Sequence, residues 1–158
     1  MDNIKEVQNI VLVSLSDSFT KRVAFALSEQ LDMFNLNCQD MIVYDLINPK
    51  EILEKCGIEY LQKREKGVVE SCSTYLNTCI SIDYELILKY ANLFNKSLII
   101  YLELPYEKIT KVPSKIDYNN RNDFLKSISD EVVLLDKKSC NSAVEKVLNK
   151  IGERYENS

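Results

Sequence analysis

The sequence predicts an α/β fold of three layers, α/β/α, around a central parallel sheet of about five strands. Three observations predict it. Asn9-Ile10-Val11-Leu12-Val13, Ser97-Leu98-Ile99-Ile100-Tyr101-Leu102 and Glu131-Val132-Val133-Leu134-Leu135 are apolar runs of strand length, as found in sheets covered on both faces. Segments with helical spacing alternate with them. Only 3 glycines and 3 prolines occur in 158 residues, so most of the chain is free to be regular.

The elements follow in order. After Asn9–Val13 comes the turn Ser14-Leu15-Ser16-Asp17-Ser18, then a helix from Phe19 to Leu31 with Phe19, Val23, Ala26, Leu27 and Leu31 on one face. Met33 to Asn37 reads as a second strand. Asn48-Pro49-Lys50-Glu51 is a helix start, with an Asn cap, Pro in the first helical position and Glu in the third. That helix is expected to run into Ile58–Glu70, with a bend near Gly57 or Gly67. Asn77 to Ile82 is a short third strand, and Asp83 stands where it caps a well-buried helix through Phe94. Pro105 closes the Ser97–Leu102 strand. Thr110 to Asn122 reads as polar and turn-like. Ser139 starts a last helix whose Ala143, Val144, Val147, Leu148 and Ile151 share a face. No repeat or linker divides residues 1–158, which read as one domain large enough to bury a core.

Composition narrows the function. A net charge of −4 and the lack of a basic stripe argue against nucleic acid. Met1-Asp2-Asn3-Ile4-Lys5-Glu6 is polar and no apolar run is of membrane length, so neither a signal peptide nor a membrane partner is expected, and the cytoplasm is. The five cysteines (Cys38, Cys56, Cys72, Cys79, Cys140) are odd in number and lack CxxC spacing, and the chain has no histidine. Small buried thiols are the preferred reading over a redox or metal site, and no metal is expected.

Between Met1 and Cys56 there is no glycine. A strand, tight turn and helix is the setting of a phosphate loop, but such a loop needs glycine for positive φ and close approach to phosphate oxygens. Here Ser16, Ser18 and Lys21 form a candidate anion nest, and the competing reading is a helix capped by Ser16, Asp17 or Ser18.

Asn9–Val13 with Ala26-Leu27-Ser28-Glu29-Gln30-Leu31, then Glu51 to Leu61, Ile100-Tyr101-Leu102-Glu103 and Arg121-Asn122-Asp123-Phe124-Leu125 through Ser129-Asp130, resemble in order the segments of shikimate kinases. These are small kinases of the P-loop nucleoside-monophosphate-kinase type, and the resemblance spans nearly the whole chain. It implies a P-loop kinase fold and, for a working member, ATP- and Mg²⁺-dependent 3-phosphorylation of shikimate in aromatic amino acid biosynthesis.

The motifs depart from the family's pattern. In the register G-x-x-x-x-G-K-[ST] the glycines fall on Ser14 and Phe19, the lysine on Thr20 and the Mg-binding hydroxyl on Lys21; a further loop glycine falls on Asp17. The family's Asp-x-Asp becomes Asn37-Cys38-Gln39, and an amide is no general base at neutral pH. The substrate-clamping arginine falls on Gln62, and the acid after it is matched by Glu65. Arg64 and Glu65 read as an exposed pair or a relic of the site. The Gly-Gly-Gly turn is placed at about Asn77-Thr78-Cys79. Arg121 is the one substrate-contacting arginine retained, as an anion binder or an ordinary helix-terminal arginine. Residues 110–122 form a shortened lid-like segment, with Lys111-Val112-Pro113 where Arg-Pro is expected.

The resemblance with these departures implies a pseudoenzyme without catalytic residues: a vestigial phosphate loop (Ser14, Asp17, Ser18, Phe19, Thr20, Lys21) and a vestigial substrate pocket (Asn37, Gln39, Gln62, Glu65, Arg121). No cofactor is expected. The alternative is an active or residual kinase with an unusual loop, using ATP and Mg²⁺. For a binding or regulatory module the partners are another protein, a second copy, or a small anion near Arg121. Tyr84, Tyr90, Tyr106 and Tyr118 are candidates for a contact surface or for the core.

Overall fold

The computed structural model describes residues 7–156, so the polar Met1–Glu6 segment lies outside the described residues. Strand β1 (Asn9–Val13) is central in a five-stranded sheet of order β2-β3-β1-β4-β5, every pair parallel. β2 is Phe34–Asn37, β3 Thr78–Ser81, β4 Ser97–Glu103 and β5 Glu131–Leu134. Val11 lies opposite Ile80 on one side and Ile99 on the other. Helices flank the sheet. Parallel neighbours need crossover connections, and the helical segments between the runs supply them. All of β1 and the first six residues of β4 are buried, which is why both are apolar without alternation. No helix among the described residues is long and apolar enough to cross a membrane.

Several boundaries differ from expectation. Helix α1 (Asp17–Leu31) starts two residues before Phe19, with Ser16 at the N-cap position. Its buried face is Phe19, Thr20, Val23, Ala24, Leu27 and Ser28, and Ala26 and Leu31 are only half-buried. Ser28 turns inward because its hydroxyl is satisfied by the Phe25 carbonyl at 2.6 Å. Helix α2 (Cys38–Leu46) was not expected. It leaves β2 without a loop, because Asn37 ends the strand and caps the helix through the Asp40 amide. The expected bend at Gly57 is a full break between α3 (Pro49–Cys56) and α4 (Ile58–Ser73). Gly57 has φ +85° there, a conformation that disfavours any side chain. Gly67 lies within α4.

The helix expected through Phe94 is α5 (Tyr84–Tyr90) followed by a 3-10 turn, Ala91–Phe94. The stretch Thr110–Asn122 is not turn-like throughout. Its second half belongs to α6 (Lys115–Ile128), started by Ser114, whose hydroxyl accepts the Asp117 amide at 3.1 Å. The polar composition hid this helix, since only Tyr118, Asn122 and Leu125 face inward. Helix α7 (Cys140–Glu156) is capped by Ser139 and packs beside α1; it buries Ala143, Val144 and Val147, with Leu148 and Ile151 half-buried.

Candidate functional site

Because all strands are parallel, β1, β2 and β3 end on the same edge of the sheet. In open α/β sheets this is the edge where ligands bind. The chain leaves β1 through Ser14, Leu15 and Ser16 and enters α1 at once. Ser14 is fully buried and its hydroxyl closes the turn on itself. It accepts the Ser16 amide at 3.0 Å, lies 2.9 Å from the Ser16 carbonyl and bonds the Thr20 hydroxyl at 2.6 Å. The Thr20 hydroxyl also reaches the Ser16 carbonyl at 3.1 Å. Two hydroxyl protons thus serve a closed ring in either direction. Ser16 occupies the N-cap position but its side chain makes no cap hydrogen bond. None of residues 14–21 has positive φ. Phe19 is fully buried within the apolar core, with the Arg22 guanidinium 5.7 Å from its ring centre.

Asp17 carries the unexpected feature of this edge. Its half-buried carboxylate accepts the backbone N–H of Tyr84, the first residue of α5, and lies in the field of Lys111 and Arg121. A carboxylate at a helix N-terminus is stabilised by the exposed amides and the dipole. Burial nevertheless dominates and raises its pKa. Asp83, just before α5, is pushed up to about 6, first by burial, then by Asp17, with Lys111 opposing and Asp40 adding. Lys21 pairs with Asp40 at 2.5 Å, an exposed contact of small energetic weight. The Arg121 guanidinium sits 4.8 Å over the Tyr84 ring, and Tyr84 meets Phe124 edge-on with ring centres 6.3 Å apart. The aromatic pair therefore orients Arg121.

The edge thus brings together Ser14, Asp17, Thr20, Lys21 and Arg121 with Lys111 of the lid-like segment, and adds Asp40, Asp83 and Tyr84, which the sequence reading did not place there. Ser18 is exposed in the first turn of α1. Asn37 spends its amide on structure: its Nδ2 donates to Ser81 Oγ at 2.8 Å and its Oδ1 caps α2. Gln39 is exposed in the first turn of α2, and Gln62 is exposed on α4. Glu65 accepts the Tyr90 hydroxyl at 2.9 Å and pairs with Lys89 at 3.4 Å. The pairing of Arg64 with Glu65 is corrected: Arg64 pairs with Asp45 at 2.9 Å. Asn77 to Cys79 are also misplaced as a substrate turn. They lie at the start of β3, away from the functional edge, and Asp83 and Tyr84 follow its C-terminal end. An aspartate directly after a strand of known direction was the signal available for Asp83. The lid-like segment is anchored by buried Ile109 and Val112, and Lys111 between them acts on both aspartates.

Asp83 has a pH consequence. Below about pH 4 its carboxyl is protonated in both states and costs nothing. As pH rises toward 6 the unfolded chain ionises first, so the folded state loses relative stability, and above 6 the penalty is complete. Asp83→Asn is expected to raise stability at pH 7.5 by about 1 kcal/mol, a figure discounted for its partial solvent exposure, and to change little at pH 4. Urea unfolding at both pH values checks this, and an equal effect at both would contradict it.

No family model and no curated protein sequence matches the chain. Solved structures do. A shikimate kinase from Acinetobacter baumannii, in complex with shikimate, is similar at TM-score 0.71 and 16% identity, over 93% of this chain and 94% of that one. A shikimate kinase from Aquifex aeolicus is similar at TM-score 0.68 and 20% identity, over 92% of this chain and 97% of that one. A sugar kinase from Janibacter gives TM-score 0.56 at 14% identity, over 90% and 93% of the two chains. At such identities the likeness establishes the fold, that of shikimate kinases and related P-loop kinases.

Proposed function

We propose that this shikimate-kinase-like chain has lost ATP binding and phosphoryl transfer and serves as a cytoplasmic binding or regulatory module. The observation that carries the reading is the turn after β1, whose Ser16 amide is taken by Ser14 Oγ and whose Asp17 carboxylate is held by the first amide of α5. A phosphate cradle presents several amides to one anion. In our reading this chain offers that anion from its own side chain, and Asp17 and Asp83 compensate the field of Lys111 and Arg121. The residues present do not fit a magnesium nucleotide. The positions resembling Asp-x-Asp are Asn37 and Gln39, with Asn37 engaged in capping, and Thr20, in the lysine position, is locked to Ser14. Phosphoryl transfer rests on positioning and charge neutralisation, so these losses compound.

Isothermal calorimetry with Mg-ATP and a coupled assay with shikimate test this. We expect no binding heat at millimolar nucleotide and no turnover. Micromolar affinity or shikimate-dependent ADP release would overturn it and favour the residual-kinase alternative. For the ligand, we favour a small carboxylate at Arg121, which the Tyr84 ring orients. A protein partner, including a second copy, is the other occupant of a module of this kind.

A further inference from the structure

A second cleft lies between α2 and α4. Its volume of about 550 Å³ is within the range of small-molecule sites. Met41 and Val68, both packed on the core, give it apolar surface, and Tyr44, Tyr60 and Tyr75 stand exposed around it. One ion pair joins its two helical walls. Arg64 of α4 donates to Asp45 of α2 at 2.9 Å and to the Tyr60 hydroxyl at 3.4 Å. Arg64 is therefore engaged in tying the walls together and in fixing Tyr60, whose ring centre lies 6.0 Å from the guanidinium. Arg64 and Asp45 cancel in charge, so Lys63, the third charged group lining the cleft, leaves it with one net positive charge. Gly67 also lines it, and nothing lies within 4 Å of where its side chain would begin.

We propose that this cleft binds a small planar aromatic acid, its ring against the tyrosines and its carboxylate toward Lys63. Three exposed tyrosines around one cavity offer flat apolar faces, and an aromatic ring packed offset or edge-on against them gains beyond the area it buries. Tyrosine also loses little conformational freedom on contact, having only two side-chain torsions. Lys63 selects an acid over a neutral ring. Its contribution is modest, because an exposed lysine pairs weakly in water. The site uses no residue of the sheet edge, so it stands whether or not nucleotide binds there.

The test titrates the nitrogen-15-labelled full chain with 2-naphthoate and with neutral 2-naphthamide, and follows the amide resonances. Saturable shifts by naphthoate, centred on α2, α4 and Tyr75, are expected at millimolar ligand. Lys63→Gln is expected to weaken naphthoate by about threefold, the scale of an exposed ion pair, and to leave naphthamide unchanged. Gly67→Leu places a side chain in the open space of the cleft, on a helix that favours leucine over glycine. It is expected to remove binding of both compounds while melting no lower than the wild type. No saturable shift at millimolar naphthoate would overturn the proposal, as would equal affinity for acid and amide. Shifts confined to Tyr84, Arg121 and their neighbours would overturn it too and assign the acid to the sheet edge. So would undiminished binding to a folded Gly67→Leu. The wild-type titration decides even if a variant fails to fold.

Discussion

Ile100→Ala is expected to lower the free energy of unfolding by about 3–4 kcal/mol, the usual cost of emptying a filled core position. Ile100 is fully buried in β4, opposite Leu12 of β1 and Glu131 of β5. Neighbours on both strands are held by ladder hydrogen bonds, so the site collapses poorly around the lost atoms. The loss combines forfeited burial with a residual cavity. In a domain of this size it corresponds to a fall in melting temperature of roughly 10 °C. Urea unfolding should show a lower midpoint with an unchanged slope. Ile116→Ala on α6, where the side chain is 72% exposed, is the comparison and should stay within about 0.5 kcal/mol. Equal effects of the two would contradict the burial of β4.

The turn after β1 gives the second large effect. Ser14→Ala removes a hydroxyl that serves the Ser16 amide and the Thr20 hydroxyl in a fully buried position. Loss of about 1–2 kcal/mol is expected, because buried polar groups are left without partners. Thr20→Val keeps the shape and removes the other half of the ring, at similar cost. The two are expected to be non-additive: once one hydroxyl is gone, the second has less to lose, and a coupling of about 1 kcal/mol is expected in the double-mutant cycle. Additive losses would mean that the two hydroxyls do not act as one unit. The ring also bears on function, since it holds Ser16 and so fixes where Asp17 enters α1.

The architecture was legible because its signals are local. The apolar runs at residues 9–13, 97–102 and 131–135 need no partner to be recognised, and the cap at Asn48-Pro49 is written in adjacent residues. Elements with weak local signals were misread. In α6 the inward residues Tyr118, Asn122 and Leu125 include one amide, whose Oδ1 is satisfied by the Tyr101 hydroxyl at 2.6 Å. Without Tyr101 beside it, Asn122 reads as a loop residue. α2 was missed for a related reason: Asn37 serves the strand and the helix at once, so no turn residue separates them.

The candidate site was legible in part. Ser14, Asp17 and Lys21 are contiguous and follow an unmistakable strand, so their placement at the sheet edge followed from order along the chain. Asp83 and Tyr84 join that edge from the segment after β3, and the misplaced glycine turn hid them. The direction of β3 decides which of its ends faces the site, and a short strand does not declare its neighbours.

The order of residues by itself determined the class of fold, the position of the first turn and the absence of glycine from it, because periodicity and backbone conformational freedom are properties of neighbours in sequence. Only the tertiary structure decided that the Asp17 carboxylate meets the first amide of α5, that Arg121 lies on Tyr84, and that Tyr101 bonds Asn122. Those contacts join residues far apart in the chain. Their existence depends on strand order and helix packing, which are set by the burial of the whole core and not by any one segment.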